Sequence, residues 1–150
     1  MNNDAYGHTV SMTTDGVTDT YLVGGATEYQ FPAGTSQDVV YLSIAQQFNL
    51  AQAQAAVQAF VNSRYSLETR FNLMAIWNLC NGNILLLNRT AYVKQIFTWA
   101  QAVVTYAATY MATINAMTDP AVVAATTPNF STLISSDPLV NPVAAIQINN

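Results

Sequence analysis

Residues 95–118 contain no charged side chain, yet their apolar residues recur with helical spacing. Tyr92, Ile96, Trp99, Val103, Tyr106, Tyr110 and Met117 follow one another at intervals of four and three, with the single gap at Thr113. Such spacing makes a heptad seam. A second row, Val93, Phe97, Ala100, Val104, Ala107, Met111 and Ile114, runs beside it. Together the rows predict a helix from about Asn88 to Met117 with a wide apolar face. At 1.5 Å per residue such a helix spans about 45 Å. That length favours packing of one face on the chain itself and of the rest on another chain. Asn88 is the expected cap, and Asp119-Pro120 the expected stop: Asp is a good N-cap and Pro a good first residue for the helix that follows.

The scarcity of charge extends to the whole chain. Of its 150 residues, 51% are hydrophobic and 8% charged, against about 25% charged in an ordinary soluble domain. A surface with so few charges is expected to be covered by identical subunits, by another protein or by lipid. Lipid is the poorer fit. Gln95, Gln101, Asn115 and five threonines interrupt the 95–118 stretch, and a spanning segment needs about 20 mainly apolar residues. The net charge of −4 disfavours nucleic-acid backbones. The four cations, Arg64, Arg70, Arg89 and Lys94, are clustered, whereas the first 63 residues carry only acids. They suit bridges to the acidic segment of the same or a neighbouring chain, or plain solvation.

The first 35 residues read differently from the rest. HTVSMTT and VTDTYLV flank Asp15-Gly16, a hairpin signal. Gly24-Gly25 ends the second run, and a short EYQFPAG segment follows. These residues are read as an N-terminal β-hairpin arm (1–35), with a helical domain and an irregular C-terminal segment over 36–150. The segment 36–48 fits helix or strand, with helix preferred. Asn49 is a plausible N-cap for a helix carrying Leu50, Ala53, Val57, Phe60 and Val61 on one face. Ser66 is the next cap, opening a helix with Leu67, Phe71, Met74 and Trp77 on one stripe and Gly82 as its terminator. Short helices follow at 120–127 and 129–136, and the tail 143–150 has the alternation of a strand. The expected fold is mainly α: antiparallel helices around one long central helix, with the β arm.

Little in the sequence suggests catalysis. His8 is the single histidine and Cys80 the single cysteine, so neither a zinc site nor an intrachain disulfide is available. The acids are scattered, and Asp15 with Asp19 are too few for calcium. No phosphate loop follows the glycines. The start, MNNDAYGH, has no basic or apolar run, so no export signal is expected. No cofactor, metal or enzymatic activity is expected. Trp99, Tyr106 and Tyr110 on the seam and Tyr21 and Phe31 in the arm are the expected interface anchors. Arg64, Arg70 and Arg89 are expected to orient contacts with acids.

Three stretches carry a resemblance: R-Y-S-x-E-T-R-x-N-x-M-A-I-W-N from Arg64, N-R-x-A-Y-V-K-Q-I-F-x-W from Asn88, and Y-x-A-T-I-N-A-M-T-D-P-A-x-V-A-A-x-x-P-N-F from Tyr110. This region resembles the helical part of small accessory virion proteins of tailed bacteriophages, of the tail-fibre-accessory type. It shares their arginine-bearing helix, long helix with a central Trp, and closing I-x-A-x-x-D turn. The resemblance covers a little under half the chain and brings no active site with it. It implies a non-enzymatic structural protein of the virion, in a tail, fibre-attachment or capsid-decorating position, assembled in the host cytoplasm. Other virion proteins and copies of the chain itself are the implied partners, with no nucleic acid and no membrane. A glycan-binding module at a fibre tip, using the aromatics, is the alternative, and a small membrane-spanning protein a more distant one.

Overall fold

The computed structural model describes residues 2–66, 68–72 and 87–138, with the backbone alone for Asn2 and for residues 87–92. The expectations for Leu67, Met74, Trp77, Cys80, Gly82 and the tail 143–150 fall outside these residues. So do those for the side chains of Asn88, Arg89 and Tyr92.

The N-terminal segment folds into an antiparallel sheet of four strands in chain order: β1 (Asn2–Asn3), β2 (Thr9–Thr14), β3 (Thr18–Val23) and β4 (Thr27–Pro32). The expected hairpin is its centre, with Met12 opposite Tyr21 and Val10 opposite Val23. The EYQFP run adds a full partner strand, Tyr29 facing Tyr21 and Phe31 facing Asp19. Local polar chemistry makes each turn. Asp15 Oδ1 accepts from the Val17 and Thr18 amides at 2.9 and 2.7 Å, and Gly16 takes φ 88°. Gly24 and Gly25 have φ 60° and 72°, which Cβ-bearing residues adopt at a cost. Asp4 Oδ1 accepts from the Tyr6 and His8 amides and so joins β1 to β2.

The amides of Thr18 and then Val17 hold the Asp15 carboxyl below its ordinary value. A carboxyl lowered in the folded state stabilises the fold fully above its unfolded pKa. That contribution is lost as pH falls through the lowered value. The Val17 and Thr18 amides are therefore expected to lose hydrogen-exchange protection in acid before those of the strand centres. Asp15→Ala should remove this pH dependence.

Period-two alternation puts Asp19, Tyr21 and Val23 on the buried face of β3. With Val10 they meet Val40 and Ile44, both fully buried, on the first helix. Burying a side chain of this size stabilises by about 1.5–3 kcal/mol. The sheet thus shares a core with a helix of its own chain.

That helix, α1 (Gln37–Arg64), is one uninterrupted element. The preferred helical reading of 36–48 holds, but Asn49 is no N-cap. No Gly or Pro occurs between residues 37 and 64, so nothing obliges the backbone to break there. The Asn49 side chain is buried and spent elsewhere, donating to the Val123 and Thr126 carbonyls at 2.7 and 2.8 Å. Ser66 does act as expected: its Oγ accepts from the Thr69 amide at 3.1 Å, and residues 68–72 are helical.

The long helix, α2 (Leu87–Ala116), runs within a residue of the expected span. Asp119 then caps α3 (Pro120–Ala125), accepting from the Ala121 amide at 2.8 Å with Pro120 in the first turn. The last described helix is α4 (Ser131–Ser135), entered through Asn129 Oδ1, which accepts from the Ser131 amide. The structure is thus mainly α with an N-terminal antiparallel sheet.

The chain divides into two compact units. The first comprises Met1–Ala53 and Met111–Thr127, the second Gln54–Tyr110 and Pro128–Asn150. In the first unit the terminal carbonyls of two helices are served from α1. Gln46 Nε2 lies 3.1–3.3 Å from the Ile114, Asn115 and Met117 carbonyls, and Asn49 serves the end of α3. Helix C-termini leave carbonyls without intrahelical donors, and two amides one turn apart on α1 supply them. In the second unit Tyr65, Val93, Ile96, Trp99, Val103 and Leu133 form the core, flanked by Phe60, Tyr106 and Phe130.

Candidate interaction surfaces

The two apolar rows of α2 have different fates. Ile96, Trp99 and Val103 of the first row are buried, and Tyr106 and Tyr110 half-buried. Trp99 is 4% exposed, and its Nε1–H donates to the Leu133 carbonyl at 2.7 Å. Its ring lies 5.1 Å from that of Tyr65 and 5.8 Å from that of Phe60. Trp99 is therefore covered by its own chain. Tyr106 belongs partly to the same packing: its hydroxyl accepts from the Asn129 amide at 2.7 Å, and its ring meets Phe130 at 5.6 Å. Tyr110 stacks beside Tyr106 at 6.4 Å.

The second row is covered mainly at its ends, with Ala107 half-buried between them. Val93 and Ile114 are buried, whereas Phe97, Ala100, Val104 and Met111 are exposed. Val104 is 60% exposed and Phe97 39%. Seven residues advance an α-helix to about 20° short of two turns, so Phe97, Val104 and Met111 lie along one line. Threonines and glutamine flank it in place of charges. Thr98, Thr105 and Thr109 turn their hydroxyls back to the carbonyls of Lys94, Gln101 and Thr105. That satisfies these hydroxyls within the helix and leaves methyl groups to the surface.

The sheet supplies the other expected anchors. Tyr21 is buried on the inner face, and Phe31 beside it is half-buried, the rings 5.8 Å apart and nearly perpendicular. Burial, and secondarily the negative charge of Asp19, pushes the Tyr21 hydroxyl above its ordinary pKa. Both rings serve the intramolecular core.

The expected cationic residues divide. Arg64 Nε is 3.5 Å from Oδ2 of Asp137, a fully buried carboxylate that also accepts from the Tyr65 hydroxyl at 2.9 Å. Arg70 is exposed and donates to Asn62 Oδ1. Arg89 belongs to α2, and its side chain is outside the described ones. Arg64 thus meets an acid of the C-terminal segment, not of the N-terminal one.

Other chemistry is sparse. His8 Nδ1 is 3.0 Å from Asp4 Oδ2, and the imidazole lies 5.1 Å from the Phe48 ring in a T-shaped pair. Among the described residues no group of three His, Cys, Asp or Glu is placed to hold a metal ion, and no helix is long and apolar enough to cross a membrane. Sequence reasoning missed Gln46, Asn49 and Asp137, whose partners are 68 or more residues away in the chain. No protein-family model, curated protein or solved structure matches the chain.

Proposed function

We propose that this chain is a non-enzymatic structural component of a tailed-bacteriophage virion that joins copies of itself and other virion proteins by packing. The observation that carries the packing role is the exposed line of Phe97, Val104 and Met111 on a helix that bears no charge after Lys94. Apolar surface repeated at seven-residue intervals is the pattern by which one helix receives another. The inner row packs on its own chain, and Val104 and Met111 of the outer row are exposed where a partner could cover them. Interfaces of this kind are depleted of charge at their centres, as this face is. The antiparallel course expected for the helices around the long one belongs to the same reading: Gln46 meets the last turn of α2, and Phe60 meets its middle.

The virion placement rests on the resemblance of the 64–130 region. Peptide mass spectrometry of density-purified particles tests it. The chain is expected in the particles at a fixed ratio to the other structural proteins. Its presence only in the unassembled lysate fraction, with particles complete without it, contradicts the placement.

A further inference from the structure

The first unit contains six acids, Asp4, Asp15, Asp19, Glu28, Asp38 and Asp119, and no Lys or Arg. One of these acids stands in a pocket. The strand alternation that buries Tyr21 and Val23 also turns Asp19 inward, where it is 7% exposed. Its carboxylate accepts one hydrogen bond among the described residues, from the Gly34 amide at 3.1 Å to Oδ2. The other oxygen can accept a further donor, and a charged donor makes the strongest such bond. The unit has no Lys or Arg to supply one.

Beside Asp19 is a cavity of about 470 Å³, lined also by Met12, Tyr21, Thr35, Gln37 and Tyr41. That volume falls within the range of small-ligand pockets, about 300–1,000 Å³. Its chemistry selects the sign of the occupant. Two tyrosines line it, and the face of a phenol ring attracts a cation lying over it. The Met12 thioether offers a soft apolar wall. Thr35 and Gln37 offer oxygens to an N–H donor. An anion would meet a field set by six acids, and a divalent metal would find one carboxylate where it needs several oxygens.

We propose that this pocket receives an organic cation, a primary ammonium or guanidinium on an apolar stem, as a lysine or arginine side chain presents. The charged head pairs with the free oxygen of Asp19, and the stem lies against Tyr21, Tyr41 and Met12. The unit has no Lys or Arg of its own, and the source proposed for the cation is another protein molecule. A second copy of this chain is one source: its Arg70 and Lys94 are exposed.

The test is an amide-resonance titration of the full chain at low salt with n-butylammonium, with N-propylguanidinium and with n-butanol as the neutral control. Both cations are expected to shift resonances around residues 12, 19–21, 35–37 and 41, and to bind about tenfold more tightly than n-butanol, a ratio worth about 1.4 kcal/mol. Asp19→Asn keeps an acceptor for the Gly34 amide and should weaken the cations about tenfold while leaving n-butanol unchanged. Tyr41→Leu keeps apolar contact and should reduce the preference for cations in the same way, so it carries the test should Asp19→Asn unfold. No titration by either cation, equal binding of n-butanol, or full cation affinity in both variants overturns the proposal. The source is read from self-association. If Arg70→Gln with Lys94→Gln and added n-butylammonium both reduce it, the cation comes from a second copy. If neither does while the pocket still binds n-butylammonium, it comes from a different protein.

Discussion

Trp99→Ala is expected to destabilise the second unit by about 3–5 kcal/mol, the usual range for removing a large buried aromatic side chain. Three effects combine. The indole area leaves the core that it shares with Tyr65, Phe60 and Leu133. A cavity remains, because the residues around it are held by two helices and relax only partly. The Leu133 carbonyl, which accepts the Nε1–H at 2.7 Å, loses that donor in a buried position. Against a total stability of about 5–15 kcal/mol for a chain of this kind, the loss is a large fraction. Urea unfolding followed by far-ultraviolet circular dichroism measures it. Trp99→Phe separates the contributions: it keeps most of the ring area, and its cost of about 1–2 kcal/mol reflects mainly the missing donor. A change of less than about 1 kcal/mol in Trp99→Ala would mean that the indole is not covered by its own chain.

Asn49→Leu tests the polar joint of the first unit. Leucine is close in volume and a better helix former, so helix propensity alone would predict a small gain. The structure predicts a loss of about 2–3 kcal/mol, because an acceptor deprived of its donor inside the protein keeps its desolvation cost. The Thr126 carbonyl loses the Asn49 amide, and the Val123 carbonyl loses it too while keeping the Thr126 amide. Hydrogen exchange locates the effect: protection in α3 should fall more than protection in the sheet. A neutral or stabilising Asn49→Leu would show that the two bonds do not hold α3.

These residues also mark the boundary of what the sequence reveals. Local signals were legible. Asp15-Gly16 made the hairpin turn, Ser66 and Asp119 capped their helices, and the uncharged stretch became α2. Each rests on groups within a few residues of one another, so spacing suffices. Asn49 was not legible, because its side chain caps a neighbouring helix as readily as its own, and the choice depends on a partner 74 residues away. The β1 strand, two residues long, has no periodicity to detect. Asp137 beside Pro138 reads as a turn, whereas its burial follows from Tyr65, 72 positions earlier.

The rows on α2 show the same division. Their spacing gave two faces, but spacing does not say which face the chain covers. Trp99, the largest residue on either row, is turned inward, and the outward line is carried by Phe97, Val104 and Met111. The surface proposed for assembly is therefore the row beside the tryptophan seam. Val104, the most exposed residue of that line, is the position where a charge should act on assembly alone. A lysine there keeps its stem on the helix surface and is expected to change stability by no more than about 0.5 kcal/mol.

The most direct test of the packing role is the molar mass of the purified chain by light scattering across a concentration series, alone and as Val104→Lys. The mass is expected to rise above 16.2 kDa with concentration in the unaltered chain and to return to the monomer value in Val104→Lys at unchanged thermal stability. A mass of 16.2 kDa at every concentration in the unaltered chain, with the exposed row of α2 open to water, would contradict it.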